Sequence, residues 1–458
     1  MRLSSLFLAL ASGLASATAG SFENSKYSQT YDLAGSYVKK SVQLDIKNVG
    51  KEPASEYLYT VEKELAPHVA ITEVRVLGAD IVVPYAEEEG EDSFVYRLTI
   101  PPLEPGQETS LILAQAITGV IKPLPEVAGQ NDRQYLSFNT SRYPLSPYVT
   151  KEAVTKIRTL ARTFEEVDPA SDADEPEISD TIVEYGPYED LEPYSYRQLI
   201  ARYENPKPMA KASRLDRDVW VSHWGSSISF EETYWLVNVG TKLRDTFSRL
   251  DFLRGQGTLS LNLASIRELL INVGGNARDA YYTDLVGNVS TSHFRSQDGG
   301  SVFQLKPRYP VFGGWKYNFT IGWSNDLKDY VKTTGTSQYL LRVPTIEGPE
   351  DIYYDNVNLS IILPEGADDI KVLSMSGDEM SKDLTFSYLD TVGRPTVRIH
   401  YNNILDSHKR GDVYVSYSYA TSAALRKPLM IASAFATLFS VLLVLSKVDI
   451  SISKQKKD

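Results

Sequence analysis

The chain has 458 residues, 42% of them apolar and 23% charged, with a formal net charge of −12 and no cysteine. This is a globular composition, which excludes wholesale disorder, and an acidic chain without an interior basic block excludes nucleic acid as an expected partner. The missing cysteines remove disulfides, Cys-ligated zinc, iron–sulfur clusters and thiol nucleophiles together.

At the start, Met1-Arg2 leads into an apolar run from Leu3 to Leu14, then small residues ending Ala17-Thr18-Ala19. A basic start, a short apolar core and a small-x-small site describe a secretory signal peptide over residues 1–19, cut before Gly20; Ala15-Ser16-Ala17 is the rival site. The apolar run is too short to span a bilayer.

The body that follows reads mainly as strands. Val42, Leu44 and Ile46 alternate with polar neighbours, as do Phe94, Tyr96, Leu98 and Ile100, then Leu259, Leu261 and Leu263, and finally Val413, Val415, Tyr417 and Tyr419. Period-2 patterning of β-branched and aromatic residues suits half-buried sheets. Glu87 to Asp92 is expected to be an exposed acidic turn.

Two helices are expected. Val154, Ile157, Leu160, Ala161 and Phe164 share one helical face over residues 150–165, with Thr150 as N-cap. Tyr196, Leu199 and Ile200 suggest a second over residues 194–204, stopped at Asn205-Pro206. Between them lies an acidic, Pro-containing loop. The domain boundary is placed between residues 222 and 223, giving units at 20–222 and 223–425. A short echo between Ile71–Gly78 and Ile370–Gly377 permits two related β domains.

Asn-x-Ser/Thr occurs at Asn139, Asn288, Asn318 and Asn358, each a candidate glycan acceptor in a secretory chain. Alternation turns Tyr317, Phe319 and Ile321 inward and leaves Asn318 outward; Val357, Leu359 and Ile361 do the same for Asn358.

Near the C-terminus, Leu429 to Ser446 carries no charge, and Lys447, Lys454, Lys456 and Lys457 follow. This predicts a transmembrane helix over 428–446 with the tail, 447–458, in the cytosol by the positive-inside rule. Lys454 and Lys456 resemble a dilysine retrieval signal, and basic residues after a span are the plain alternative. Ala432, Ala436 and Ser440 line one helical face with small side chains, which suits either close helix packing or an ordinary anchor.

Chemistry is sparse. The five histidines, His68, His223, His293, His400 and His408, form no His-Glu-x-x-His pair, and there is no phosphate loop or nucleophile elbow. Asp172-Ala173-Asp174 has the form of a cation-holding carboxylate pair, but it sits in an acidic loop without flanking apolar strands. His223 and His293 have no partner nucleophile in spacing and read as structural. No catalytic residue, metal or cofactor is expected.

Several segments resemble the ribophorin I family: Val221-Ser222-His223-Trp224-Gly225, Gly287-Asn288-Val289-Ser290-Thr291-Ser292-His293, and Phe312-Gly313-Gly314-Trp315-Lys316. Ile361-Ile362-Leu363-Pro364-Glu365-Gly366 and Leu389-Asp390-Thr391 extend the resemblance. It implies a non-catalytic subunit of the endoplasmic reticulum oligosaccharyltransferase. That complex transfers oligosaccharide from dolichyl diphosphate to Asn of Asn-x-Ser/Thr. Implied partners are the catalytic and other subunits, nascent polypeptides, the translocon and the bilayer. The tail ending at Asp458 resembles the short, fungal-like form. The expected fold is mainly β with some α: two tandem lumenal β-sandwich-like domains and one C-terminal transmembrane helix. A stand-alone folding or cargo receptor and a single-span lumenal glycosyltransferase are the alternatives.

Overall fold

A computed structural model describes residues 21–78, 81–89, 93–167, 175–256, 264–297, 299–335, 337–373, 377–406 and 411–447. The N-terminal half runs through β1 (Phe22–Asp32), β2 (Val38–Asn48), β3 (Ala54–Glu62), β4 (Val69–Val76), β5 (Ile81–Val82), β6 (Tyr85–Glu89), β7 (Ser93–Leu103) and β8 (Glu108–Ile117). It continues through β9 (Lys122–Pro123), β10 (Val127–Ala128), β11 (Tyr135–Ser141), β12 (Thr150–Arg158), β13 (Phe164–Glu166), β14 (Glu177–Ser179), β15 (Ile182–Leu191) and β16 (Gln198–Glu204).

The C-terminal half begins with β17 (Ala210–Ser222), β18 (Ser227–Asn238), β19 (Lys242–Leu243) and helix α1 (Arg249–Gln256). Next come β20 (Leu269–Val273), β21 (Arg278–Asp284), β22 (Gly287–Asn288), β23 (His293–Arg295), β24 (Ser301–Leu305) and β25 (Lys316–Asp326). Then follow β26 (Val331–Gly335), β27 (Gln338–Pro344), β28 (Ile352–Ile362), β29 (Asp368–Val372), β30 (Glu379–Thr385), β31 (Arg394–Leu405) and β32 (Asp412–Ser418). Helices α2 (Thr421–Ala424) and α3 (Arg426–Lys447) end the described chain.

The halves repeat one another. The first builds an eight-stranded sheet in the order β14-β15-β12-β1-β2-β8-β4-β5, and the second one in the order β30-β31-β28-β17-β18-β25-β21-β22. In both, the first strand of the half pairs antiparallel with its successor and parallel with a strand far along the chain, β1 with β12 and β17 with β28. The smaller sheets match as well: β3-β7-β6 with β20-β24-β23, and β13-β16-β11-β9 with β29-β32-β27-β26. In this alignment β4 corresponds to β21 and β29 to β13. The echo between Ile71–Gly78 and Ile370–Gly377 therefore joins segments that are not counterparts, although the relatedness it suggested is present.

Each half is a sandwich whose second layer is divided between the small sheets. Inward residues of all three sheets meet in one core per half, such as Tyr27, Leu44, Leu98 and Leu199 in the first, and Leu215, Tyr234, Ile271 and Val415 in the second. Tyrosine fills both cores because its ring packs while its hydroxyl reaches a partner. Tyr57 donates to Asn24 at 2.8 Å and Tyr59 to Gln115 at 3.0 Å.

Both expected helices in the first half are strands. Over 150–158, Ala153, Val154 and Thr155 are all buried, so the polar half of the alternation is missing and the apolar spacing mimics a helix. Thr150 caps nothing; its hydroxyl accepts from Asn24 Nδ2 at 2.9 Å within the sheet. β12 lies between β1 and β15, so its backbone groups are committed to neighbours on both sides. Over 198–204 the buried set is Leu199, Ala201 and Tyr203, a period of two, while Ile200 faces outward. Long-range pairing overrides local propensity in both places. Helix α1 was not anticipated. Leu259, Leu261 and Leu263 lie outside the described residues.

The large sheets meet upstream of residue 222. β17 ends at Ser222 and belongs wholly to the second half's large sheet, so the sheets change over between Glu204 and Ala210. A seam joins the halves. β10 pairs in parallel with β19, and Tyr37, Ala116, Tyr353 and Leu405 form a small apolar cluster across it. Ser36 N donates to Asp351 Oδ1 at 2.9 Å and Thr118 Oγ1 to Asn403 Oδ1 at 2.6 Å. A Cβ on Gly35 would fall 2.5 Å from Asp351 Oδ1, so a larger residue there would displace that carboxylate.

Candidate functional site

Two places on the C-terminal half concentrate polar chemistry. The first is a cleft of about 730 Å³ on the outer face of its large sheet. Alternation along β17 turns Leu215, Arg217 and Val219 into the core and leaves Arg214, Asp216, Asp218 and Trp220 outward. β28 contributes Asn358 and Ser360, and β31 contributes Arg398 and His400.

These groups are locked to one another. Arg214 grips Asp216 with two hydrogen bonds, at 2.8 and 2.7 Å. Asn358 Nδ2 donates to Asp216 at 2.8 Å, and its Oδ1 lies 2.9 Å from His400 Nδ1. Burial pushes the Asp218 carboxyl up, and the neighbouring Glu231 and Asp216 charges add to it against Ser360 and Arg398. The arrangement is a polar cleft in which side chains hold one another, the Ser360 hydroxyl on the Asp218 carboxyl among them. Among the described residues no group of three or more His, Asp or Glu side chains could hold a metal ion.

The second place is the junction between body and terminal helix. The β30–β31 connection folds back so that the Asp390 side chain is shielded from solvent, 2.6 Å from Lys427 Nζ in the first turn of α3. Arg394 Nε lies 3.2 Å from the same carboxylate and Ser387 N donates to it at 2.7 Å. Glu365 Oε1 accepts from Val392 N and Thr391 Oγ1, both at 2.8 Å, and from Thr391 N at 2.5 Å. Burial pushes both carboxyls up, but these donors and cations outweigh it and hold them below the usual range.

The residues singled out from sequence fall as follows. Asn139 on β11 and Asn288 on β22 are exposed. Asn318 and Asn358 face outward from strands whose inward residues, Tyr317, Phe319, Ile321, Val357, Leu359 and Ile361, are all buried, as alternation requires. Asn358 alone of the four lines the cleft. His223 Nε2 lies 2.6 Å from the Tyr417 hydroxyl and its ring packs on Tyr339 and Tyr419. Burial lowers its pKa, which keeps it neutral in an aromatic cluster. His293 is on β23, an exposed edge strand of a different sheet, so the two histidines are not brought together. Glu87, Glu88 and Glu89 are exposed as expected but belong to the paired strand β6 rather than to a turn, with Glu88 bound by Arg97 at 3.0 Å; residues 90–92 lie outside the described residues. Asp172, Asp174, Lys454, Lys456, His408 and residues 1–19 lie outside the described residues.

Sequence reasoning missed Asp216, Asp390 and Lys427. Leu389-Asp390-Thr391 and Pro364-Glu365-Gly366 were visible as motifs, but nothing in them says that they meet at the start of a helix 35 or more residues away in sequence.

The only described helix long and apolar enough to cross a membrane is α3, 22 residues or about 33 Å. Its Ala432, Ala436 and Ser440 are exposed. Fold and junction thus define a class: a β body, duplicated in tandem and mounted on one apolar helix. Residues 22–446 match the profile of the family described as Ribophorin I, and the chain belongs to that family. It is 30% identical over 443 residues to dolichyl-diphosphooligosaccharide–protein glycosyltransferase subunit 1A of Arabidopsis thaliana, covering 94% of this chain and 71% of that protein. Subunit 1B of the same plant is also 30% identical, covering 93% and 92%. Subunit 1 of Caenorhabditis elegans is 30% identical, covering 93% and 72%.

Proposed function

We propose that this chain is an accessory, non-catalytic subunit of the oligosaccharyltransferase, the complex its relatives are named for. The observation that carries the reading is the family match across residues 22–446, which takes in both sandwiches and the apolar helix. The body stands in the lumen of the endoplasmic reticulum, α3 crosses the membrane once, and residues 447–458 face the cytosol with Lys454 and Lys456 as a retrieval signal. The lumenal body divides into two units between Glu204 and Ala210. Its partners are the catalytic and other subunits, nascent polypeptides and the translocon, and it needs no cofactor of its own. Asn139, Asn288, Asn318 and Asn358 are its candidate glycan acceptors, two or three of them used, with Asn288 the best supported; their outward placement supports the reading.

Purification in mild detergent with mass spectrometry of the partners tests this. Co-purification with the catalytic subunit, and loss of sequon occupancy on depletion, are expected. A chain that runs alone, and whose depletion leaves occupancy unchanged, overturns the reading.

A further inference from the structure

The two halves share a strand order, so their hairpins can be compared one for one. The β14–β15 hairpin turns through Asp180 and Thr181 alone, with Asp180 at φ +56°. Its counterpart, between β30 and β31, spans residues 386–393. Phe386, Tyr388, Leu389 and Val392 in that loop are 48–95% exposed, Tyr388 the most. An apolar, aromatic loop of this kind is costly to leave in water.

The loop is not floppy decoration. Asp390 at its centre is tied to Lys427, and Lys427 Nζ also reaches the Tyr388 carbonyl at 3.5 Å. Glu365 holds the following backbone. From the other side, the Pro364–Gly366 turn packs so tightly on α2 that a Cβ on Gly366 would sit 2.9 Å from Ala423 Cβ. The exposed rings are thereby fixed beside the first turn of α3, two residues before its uncharged stretch begins at Leu429.

We propose that the 386–393 loop is a membrane-surface anchor, seating Phe386, Tyr388 and Leu389 in the headgroup region of the lumenal leaflet beside the entry of α3. Tyrosine suits that depth because its ring is apolar and its hydroxyl is wet. Two attachments, helix and loop, fix the tilt of the body where a helix alone leaves it free to swivel. The inference rests on the reading of α3 as a span.

The absence of cysteine makes the test direct, since every introduced cysteine carries the only label. Tyr388→Cys, Leu442→Cys and Leu285→Cys are made in the full chain, the last on the hairpin at the opposite edge of the sheet. Each is labelled with an environment-sensitive fluorophore and reconstituted in phosphatidylcholine vesicles carrying quenchers either near the headgroup or near the midplane. The Tyr388 label is expected to be quenched about twofold more by the shallow quencher than by the deep one, the Leu442 label the reverse, and the Leu285 label by neither. Adding Asp390→Asn should remove roughly half of the shallow quenching and leave Leu442 unchanged. If Leu442 is not quenched, the span reading itself fails. If Leu442 is quenched and Tyr388 is no more quenched than Leu285, the span stands and the anchor is overturned. A photo-crosslinker at Tyr388 that captures a protein subunit in native membranes, and no lipid, also overturns it.

Discussion

In the N-terminal half the outer face of the large sheet is held by ordinary surface ion pairs: Lys26 with Glu152 and Lys156 with Glu184, both at 2.8 Å and partly exposed. The corresponding face of the C-terminal half sinks its charges into a cleft, with Asp216 bound by Arg214 and Asn358. One frame has thus been used twice, and the difference lies in what the outward residues and the loops carry. The half far from α3 in sequence keeps a two-residue turn between β14 and β15 and solvated charge on this sheet face. The half next to it carries a polar cleft, a longer apolar loop and a buried ion pair to the helix. Specialisation sits on surfaces that the shared pairing pattern does not constrain.

The comparison can be broken most severely in the cores. Arg217 is fully buried between Glu232 and Glu347, the latter at 2.7 Å, with Tyr234 donating to Glu232 at 2.6 Å. Arg217→Met leaves two carboxylates without their cation and should destabilise the C-terminal half by about 3–5 kcal/mol. Hydrogen exchange resolved along the chain should show the loss in β17, β18 and β28 while β1, β2 and β12 keep their protection. Equal loss in both halves would mean that the seam makes them one cooperative unit.

A smaller effect tests the junction. Gly366 has φ +81° and lies against Ala423. Gly366→Ala should cost about 1–3 kcal/mol in thermal unfolding, because the side chain meets both strain and a close neighbour. An unchanged midpoint would show that α2 does not pack there.

Two acids then give opposite signs. Asp390 titrates below the usual range in the folded chain, so its contribution is present above the unfolded value of about 3.9 and is lost as pH falls through the folded one. Asp218 titrates above the usual range, so its charge opposes folding increasingly as pH rises through the folded value. At neutral pH, Asp390→Asn should lower the unfolding midpoint and Asp218→Asn should raise it, and the two shifts should shrink in acid. Shifts of the same sign would contradict the burial and pairing described.

The smallest effect is expected at Asp172 and Asp174. Replacing both with Ala should change stability by no more than about 0.5 kcal/mol and leave glycosyl transfer by the intact complex unaltered. Loss of transfer with the complex intact would favour a catalytic role for this chain.

Much of this was legible from residues. Alternation placed Tyr317, Phe319 and Ile321 inward and Asn318 outward, because a central antiparallel strand with one polar face writes its orientation into every second residue. The uncharged stretch after Pro428 foretold α3, which gains one or two residues at each end. β12 was misread because burial of Ala153, Val154 and Thr155 erases the alternation. The cleft was unreadable for another reason. Asp216, Asn358 and His400 are far apart in the chain, and only the parallel pairing of β17 with β28 and the antiparallel pairing of β28 with β31 bring them side by side.

By itself the sequence determined a cysteine-free, acidic, mainly β chain with an apolar C-terminal helix, because composition and short-range periodicity are local properties. Tertiary structure alone decided that the chain is one strand plan repeated, where the first half ends, and that Asp390 meets Lys427. Those facts depend on pairings between residues tens to hundreds of positions apart, and register at that range is set by which faces can be buried together.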